Sequence, residues 1–219
     1  MVNNLNHVKV EIILPNYNSE AYLEETINSV INQTFKNWRL TIVDGNSNIA
    51  TQEILKKYID YKYINIIKLK KNKKAGFCRN YAIRNSKSDY IAFIDSDDIW
   101  EKEKLSKQLD FMVKNKHYFT YTNYLTFKSN YRQNNVKKVT PEQYFTFKKF
   151  IRNTSIATST MIIKRSSIGN VKFSNTKICE DYFFKCQILK EVHYAYCFPE
   201  NLTRYRIRKN SLQSNKLRN

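Results

Sequence analysis

Glycine and proline are scarce, with three of each in 219 residues. That scarcity excludes collagen-like, linker-rich and low-complexity chains. No apolar run approaches the roughly 20 residues that a membrane-spanning helix needs. The opening stretch, "MVNNLNHVKVEIILPNYN", has no basic start, no long apolar segment and no small-residue cleavage site, so no signal peptide is expected. The four cysteines, Cys78, Cys179, Cys186 and Cys197, form no CxxC pair, and His7, His117 and His193 lie far from them in sequence. A zinc site is therefore not expected, and a reduced, cytoplasmic setting is. Acid is scarce in one half only. Residues 1–119 carry 19 basic and 14 acidic side chains, whereas residues 120–219 carry 19 and 5. The net charge is +19, and its excess in the second half points to anionic partners: phosphates, a lipid surface or nucleic acid. A lysine-rich solvated surface is the plain alternative.

What is present suits a folded globule. The hydrophobic fraction is 42% and the aromatic fraction 14%. The length supports one sizeable core, and residues 1–219 are read as a single domain. "VKVEIIL" (8–14) reads as a buried strand. Leu23, Ile27, Val30 and Ile31 then recur on one helix face, with Asn18 or Ser19 as cap. "WRLTIVD" (38–44), "YINIIKL" (63–69) and "YIAFID" (90–95) are further strands. Residues 50–59, 76–87 and 102–115 suit helices, the last with Leu105, Leu109 and Met112 in register. This alternation predicts an α/β fold whose sheet is mainly parallel, with helices on both faces. The second half is less regular. Strands are expected at 117–127 and 159–164, a helix from the Thr140–Pro141–Gln143 capping box, and another over 179–192. The basic tail "RYRIRKNSLQSNKLRN" is expected to be mobile at its end.

In parallel sheets, ligands bind at the carboxyl ends of strands. Three polar clusters fall at such ends: "PNYN", "DGNS" and "DSDD". The last closes the oily run "IAFIDSDDIW" with Asp95, Asp97 and Asp98, whose like charges repel. A divalent cation relieves that repulsion, and Mg²⁺ or Mn²⁺ takes one or two carboxylates together with substrate phosphates. The alternative is a polar loop that caps the next helix, a role that suits Asp98. "PNYN" can equally be a turn, Tyr17 a core aromatic, Arg79 a surface ion-pair partner, and "CED" an ordinary acidic helix start.

Taken in order, "VEIILPNYNSEAYLEETINSVINQTFKNWRLTIVDG", "GFCRN" and "SDYIAFIDSDDIWEKEKLSKQLDFM" resemble the family 2 glycosyltransferases of the bacterial surface-polysaccharide type, which have the GT-A fold. "CEDYFF" and "LTRYRIRKNSLQSNK" match more loosely. The resemblance implies a nucleotide-sugar half over 1–112 and an acceptor half over 113–219. It implies that Pro15, Tyr17, Asn18 and Glu20 line the nucleotide pocket and that Asp44 contacts base or ribose. It matches the R-N pair to Arg79 and Asn80, with Arg79 facing the uracil side or the diphosphate. Asp95 and Asp97 would be the D-x-D that holds Mn²⁺ or Mg²⁺, with Asp97 the direct ligand. Of Glu180 and Asp181, the latter would be the catalytic base of an inverting transfer. Two departures stand out. The family often reads V-D-D-G-S-T-D where this chain has "VDGNSN", so Gly45 and Asn48 replace acids. "AGFCRN" is also tighter than the commoner spacing.

The implied partners are a nucleotide-sugar donor, UDP-linked by resemblance, and a glycan or lipid-linked glycan acceptor. The basic half suggests peripheral contact with the anionic inner face of the cytoplasmic membrane. The alternatives are a catalytically degenerate relative, against which Asp95, Asp97 and Asp181 stand, and a basic nucleic-acid-binding protein. No nucleic-acid motif is found, and nucleic acid is not expected as a partner. A nucleotidyltransferase would show a Gly-rich phosphate loop, which "LPNYNSE" is not.

Overall fold

The computed structural model describes residues 5–128, 136–176 and 179–208. In chain order its elements are β1 (Val10–Asn16), α1 (Leu23–Ile31), β2 (Trp38–Asp44), α2 (Ile49–Lys56), β3 (Ile64–Lys68), α3 (Ala75–Asn85), β4 (Tyr90–Phe93), β5 (Ile99–Trp100), α4 (Lys104–Lys114) and β6 (Phe119–Lys128). There follow β7 (Lys137–Val139), β8 (Tyr144–Phe145), α5 (Phe147–Phe150), β9 (Ile162–Lys164), α6 (Glu180–Val192) and β10 (Ala195–Ile207).

Burial of β1 on both faces decides the layering. All seven of its residues are buried. Side chains alternate across a strand, so Val10, Ile12 and Leu14 enter one core and Ile13 the other. The first core takes the apolar stripes of α1 and α4, including Leu23, Ile27, Leu105 and Leu109. The second takes Cys78 and Ala82 of α3 together with Phe184 and Ile188 of α6.

Among the described residues, ten strands form one sheet in the order β3-β2-β1-β4-β9-β6-β10-β5, with β7 on β6 and β8 on β10. Parallel ladders join β1 to β2 and β4, β2 to β3, and β6 to β10. β9 runs against both β4 and β6, so those two share a direction. The six longest strands therefore point one way, and the short β5, β7, β8 and β9 run against them. This is the mixed, mainly parallel α/β architecture that the sequence pattern implies. In register, Asn16 sits beside Asp44 and Ile13 beside Phe93, so the ends of β1, β2 and β4 form one edge. No helix among the described residues is long and apolar enough to cross a membrane.

Three local expectations are corrected. The capping box at Thr140 starts no helix; β8 follows it, and α5 begins later with Thr146 as its cap. Tertiary bonds explain this. The Glu142 carbonyl accepts from the Tyr121 hydroxyl at 2.6 Å, the Gln143 carbonyl accepts from Cys197 N–H at 2.8 Å, and β8 pairs with β10. Neither Asn18 nor Ser19 caps α1 with its side chain, because the helix starts later, after Tyr22. The Asn18 carbonyl side chain accepts from Asn48 N–H, and Ser19 Oγ donates to Asn16 Oδ1. The stretch up to Ile207, read as the start of a basic tail, is the end of the 13-residue strand β10. Residues 209–219 of that tail lie outside the described residues.

Candidate active site

At the ends of β1 and β2 the polar residues bond mainly to one another. Asp44 is fully buried. Its carboxylate accepts from Asn16 Nδ2 at 2.6 Å, Gln52 Nε2 at 2.6 Å, Ser47 N–H at 3.1 Å and Ser47 Oγ. Four donors on one buried carboxylate make it a hub that fixes the β2–α2 turn. Asn18 has φ 47° and takes Ser47 Oγ on its own N–H at 2.9 Å. Glu20 accepts from Thr51 Oγ1 at 2.8 Å and Asn48 Nδ2 at 3.1 Å, so Asn48 ties Glu20 to the start of α2. Pro15 is buried within β1, whereas Tyr17 is half exposed, its ring open to solvent. Gly45 is needed by close approach: a Cβ there would stand 2.9 Å from the Lys73 carbonyl.

At the end of β4 the three acids separate by environment. Asp98 is buried; it accepts from Ser159 Oγ at 2.5 Å and from Arg206 N–H at 2.8 Å. Burial, with the charges of Asp97 and Asp95 added, pushes its carboxyl well above the usual range. Asp98 is thus a structural tie to β10. Asp97 carries an ion pair from Arg208 Nε at 2.6 Å. Burial, partly offset by Arg208, and then the Asp95 charge push Asp97 up to about 6. Asp95 is the most open of the three and accepts from Arg79 Nη2 at 2.6 Å.

Arg79, which the resemblance sets toward uracil or diphosphate, is buried, with Nη2 on Asp95 and Nη1 on Glu180 at 3.2 Å, and its guanidinium lies over the Phe173 ring. Its neighbour Asn80 clamps residue 173 by both backbone groups at 2.8 Å. The R-N pair therefore joins the acid loop to the segment that leads into α6. In the first turn of α6, Asp181 accepts from Lys185 Nζ at 2.7 Å and from Thr158 Oγ1 at 3.1 Å. Burial would raise the Asp181 carboxyl, but the charge and hydrogen bond of Lys185, the Arg79 charge and the Thr158 hydrogen bond together outweigh it and hold it well below the carboxylate range.

The donor set of the acid loop fits a hard divalent ion. Asp95 and Asp97 offer oxygen only, and the Asp95 charge adds to the burial that raises Asp97. Among the described residues no group of three or more His, Cys, Asp or Glu is arranged as a complete metal cage. Two carboxylates completed by substrate phosphates is a common way to hold Mg²⁺.

A model of the family described as Glycosyl transferase family 2 matches residues 11–172. The chain belongs to that family. It is similar, at 35% identity over 94% of this chain and 82% of the relative, to TuaG of Bacillus subtilis, a glycosyltransferase assigned by name to teichuronic acid biosynthesis. It is 32% identical, over 95% of this chain and 81% of the relative, to WfgD of Escherichia coli, named as a UDP-Glc:alpha-D-GlcNAc-diphosphoundecaprenol beta-1,3-glucosyltransferase. Among solved structures, S. aureus TarS in complex with UDP-GlcNAc superposes with TM-score 0.80 at 22% identity, over 94% of this chain and 61% of that one. A Pyrobaculum calidifontis mannosyltransferase with GDP-Man and Mn²⁺ does so with TM-score 0.73 at 13% identity, over 96% and 60%. These likenesses show the shared GT-A fold.

Within this family 2 chain, four residues at the site go beyond the sequence-based expectations. Ser159 accepts from Asp95 N–H and donates to Asp98, and no local pattern marks it. Lys185 could have been found from its i,i+4 spacing to Asp181. Arg206 and Arg208 fall in "RYRIR", whose basic composition suggests a tail, but Arg206 lies within β10 and Arg208 just past its end. Arg206 is buried, donates from Nε to the Asp97 carbonyl at 2.8 Å, and reaches Glu25 through Nη2.

Proposed function

We propose that this chain is a metal-dependent, inverting glycosyltransferase. It moves a hexose or N-acetylhexosamine from a nucleotide sugar, UDP-linked, to a hydroxyl of a surface-glycan acceptor. The observation that carries the reading is the Arg79 bridge, which ties the Asp95–Asp97 loop to the helix start bearing Asp181. A candidate ion-holding acid pair and a separate carboxylate are thereby tied to one joint. The names of WfgD, with its UDP-Glc donor and lipid-linked acceptor, and of TarS with UDP-GlcNAc support this choice of substrates.

Asp97, with Asp95, would hold Mn²⁺ or Mg²⁺, which when bound supplies Lewis-acid stabilisation of the leaving diphosphate. Pro15, Tyr17, Asn18, Glu20 and the Asp44 hub would shape the nucleotide pocket. Asp44 acts there by holding Asn16 and Ser47, since its own oxygens are taken. Asp181 would accept the proton from the acceptor hydroxyl as the new C–O bond forms. Lys185 keeps that carboxylate ionised and oriented. Arg79 fixes the spacing between the two ends, which in-line displacement requires. The second half, residues 113–219, would present the acceptor.

The test is a titration of UDP with Mn²⁺ beside a transfer assay. Asp97→Ala weakens Mn²⁺-dependent UDP binding. Asp181→Ala leaves that binding near normal and abolishes transfer. Normal transfer by both variants would remove these roles. The basic second half further supports a place against an anionic membrane, where lipid-linked acceptors reside. Flotation with anionic and neutral liposomes checks it, and equal recovery in both would discard it.

A further inference from the structure

Each carboxylate of the ion-holding pair already carries an arginine at 2.6 Å: Arg79 on Asp95 and Arg208 on Asp97. The two arginines differ in freedom. The Arg79 side chain is 5% exposed and is also engaged by Glu180. The Arg208 side chain is 43% exposed and lies one residue past the end of β10. Behind it, Arg206 is anchored by its N–H on Asp98, its Nε on the Asp97 carbonyl and its Nη2 on Glu25. The backbone that bears Arg208 is thus pinned to the acid loop while its side chain reaches solvent. On its other side its guanidinium carbon stands 6.0 Å from the centre of the Tyr22 ring. Arg208 therefore lies between the acid loop and the β1–α1 segment that carries Tyr17, Asn18 and Glu20.

A divalent ion and a guanidinium cannot both sit close against one carboxylate oxygen, because their like charges repel. An ion on Asp97 would repel the Arg208 guanidinium 2.6 Å from its Oδ2, and the half-exposed stem of Arg208, unlike that of Arg79, has room to turn. The donor brings a diphosphate beside the ion, and a planar guanidinium matches phosphate oxygens in pairs. We propose that Arg208 is a donor-binding residue held in reserve, neutralising Asp97 in the metal-free protein and turning onto the diphosphate of the nucleotide sugar when an ion takes Asp97. This rests on the reading of Asp95 and Asp97 as the ion-holding pair of a nucleotide-sugar transferase.

The experiment compares the full chain with Arg208→Ala and Arg208→Lys by calorimetric titration, first with MnCl₂ alone and then with UDP at saturating Mn²⁺. Arg208→Ala is expected to bind Mn²⁺ alone about three- to tenfold more tightly, its competitor being gone. It is expected to bind UDP roughly ten- to a hundredfold more weakly, its phosphate contact being gone. Arg208→Lys, which keeps the charge without the fork, falls between on both. The opposite signs are the signature, since a merely structural role weakens both. If Arg208→Ala bound Mn²⁺ no more tightly, or UDP no more weakly, than the unchanged chain, the proposal is overturned and the donor-site reading stands. If the unchanged chain showed no Mn²⁺-dependent UDP binding, both fall.

Discussion

Arg79 Nη2 lies 2.6 Å from Asp95 Oδ1, 16 positions further along the chain, and the same guanidinium reaches Glu180, 101 positions away. Burial alone would drive such a group toward losing its charge, but Asp95 and Glu180 outweigh that and raise its pKa. Its Nε has no partner and is buried, so the two terminal nitrogens carry the whole bridge.

A point charge cannot span both acids. Arg79→Lys should therefore keep one contact and lose the other, lowering stability by about 2–4 kcal/mol in chemical denaturation. Transfer should fall at least tenfold or so, with the loss in kcat rather than in UDP affinity. A variant with normal kcat would show that the bridge does not set the geometry.

Asp98 separates from its neighbours by substitution. Its carboxyl is pushed toward the neutral form and its partners are Ser159 and Arg206 N–H. Asp98→Asn should keep the fold within about 1 kcal/mol and retain Mn²⁺-dependent UDP binding, while Asp98→Ala should cost about 2–3 kcal/mol. Loss of UDP binding in a well-folded Asp98→Asn protein would make Asp98 a ligand instead of a tie.

Gly76 sits where α3 meets the segment leading to α6. A Cβ there would stand 2.9 Å from the Ser174 carbonyl, 3.2 Å from Glu180 Cγ and 3.3 Å from Phe173 Cβ. Gly76→Ala should lower stability by about 1–3 kcal/mol and reduce transfer by displacing Glu180 from Arg79. An unchanged melting temperature would show that this joint gives way freely.

Glu11 lies buried in β1, away from the acid loop, and accepts from Thr41 Oγ1 at 2.6 Å. Burial pushes its carboxyl up, against the pull of hydrogen bonds from Thr41 and Ser86. The folded state thus holds this proton to higher pH than the unfolded chain does. Its contribution is full below the unfolded value near 4.5 and is lost as pH rises through the folded value. Glu11→Gln removes the titration, so its melting temperature should gain on the unchanged chain between pH 5 and pH 8. Parallel profiles would contradict the upward displacement.

The readable part of the fold was local. The all-buried β1, the stripe of Leu105, Leu109 and Met112, and the acids closing the fourth strand each need only neighbours within a few residues, and each stands where the pattern put it. The capping box at Thr140 was equally local and failed, because the carbonyls of Glu142 and Gln143 are bonded from β6 and β10.

By itself the sequence determined the alternation of strands and helices, the polar edge where β1, β2 and β4 end, and the motif order that marks the family. Only the tertiary structure decided which charge meets which. Arg206 reaches the Glu25 carboxylate across 181 positions and the Asp97 main-chain carbonyl across 109, and Arg208 rests on the Asp97 carboxylate. The physical reason is range. Hydrophobic periodicity is set within one element, whereas a buried charge must be answered by whatever the completed sheet brings beside it.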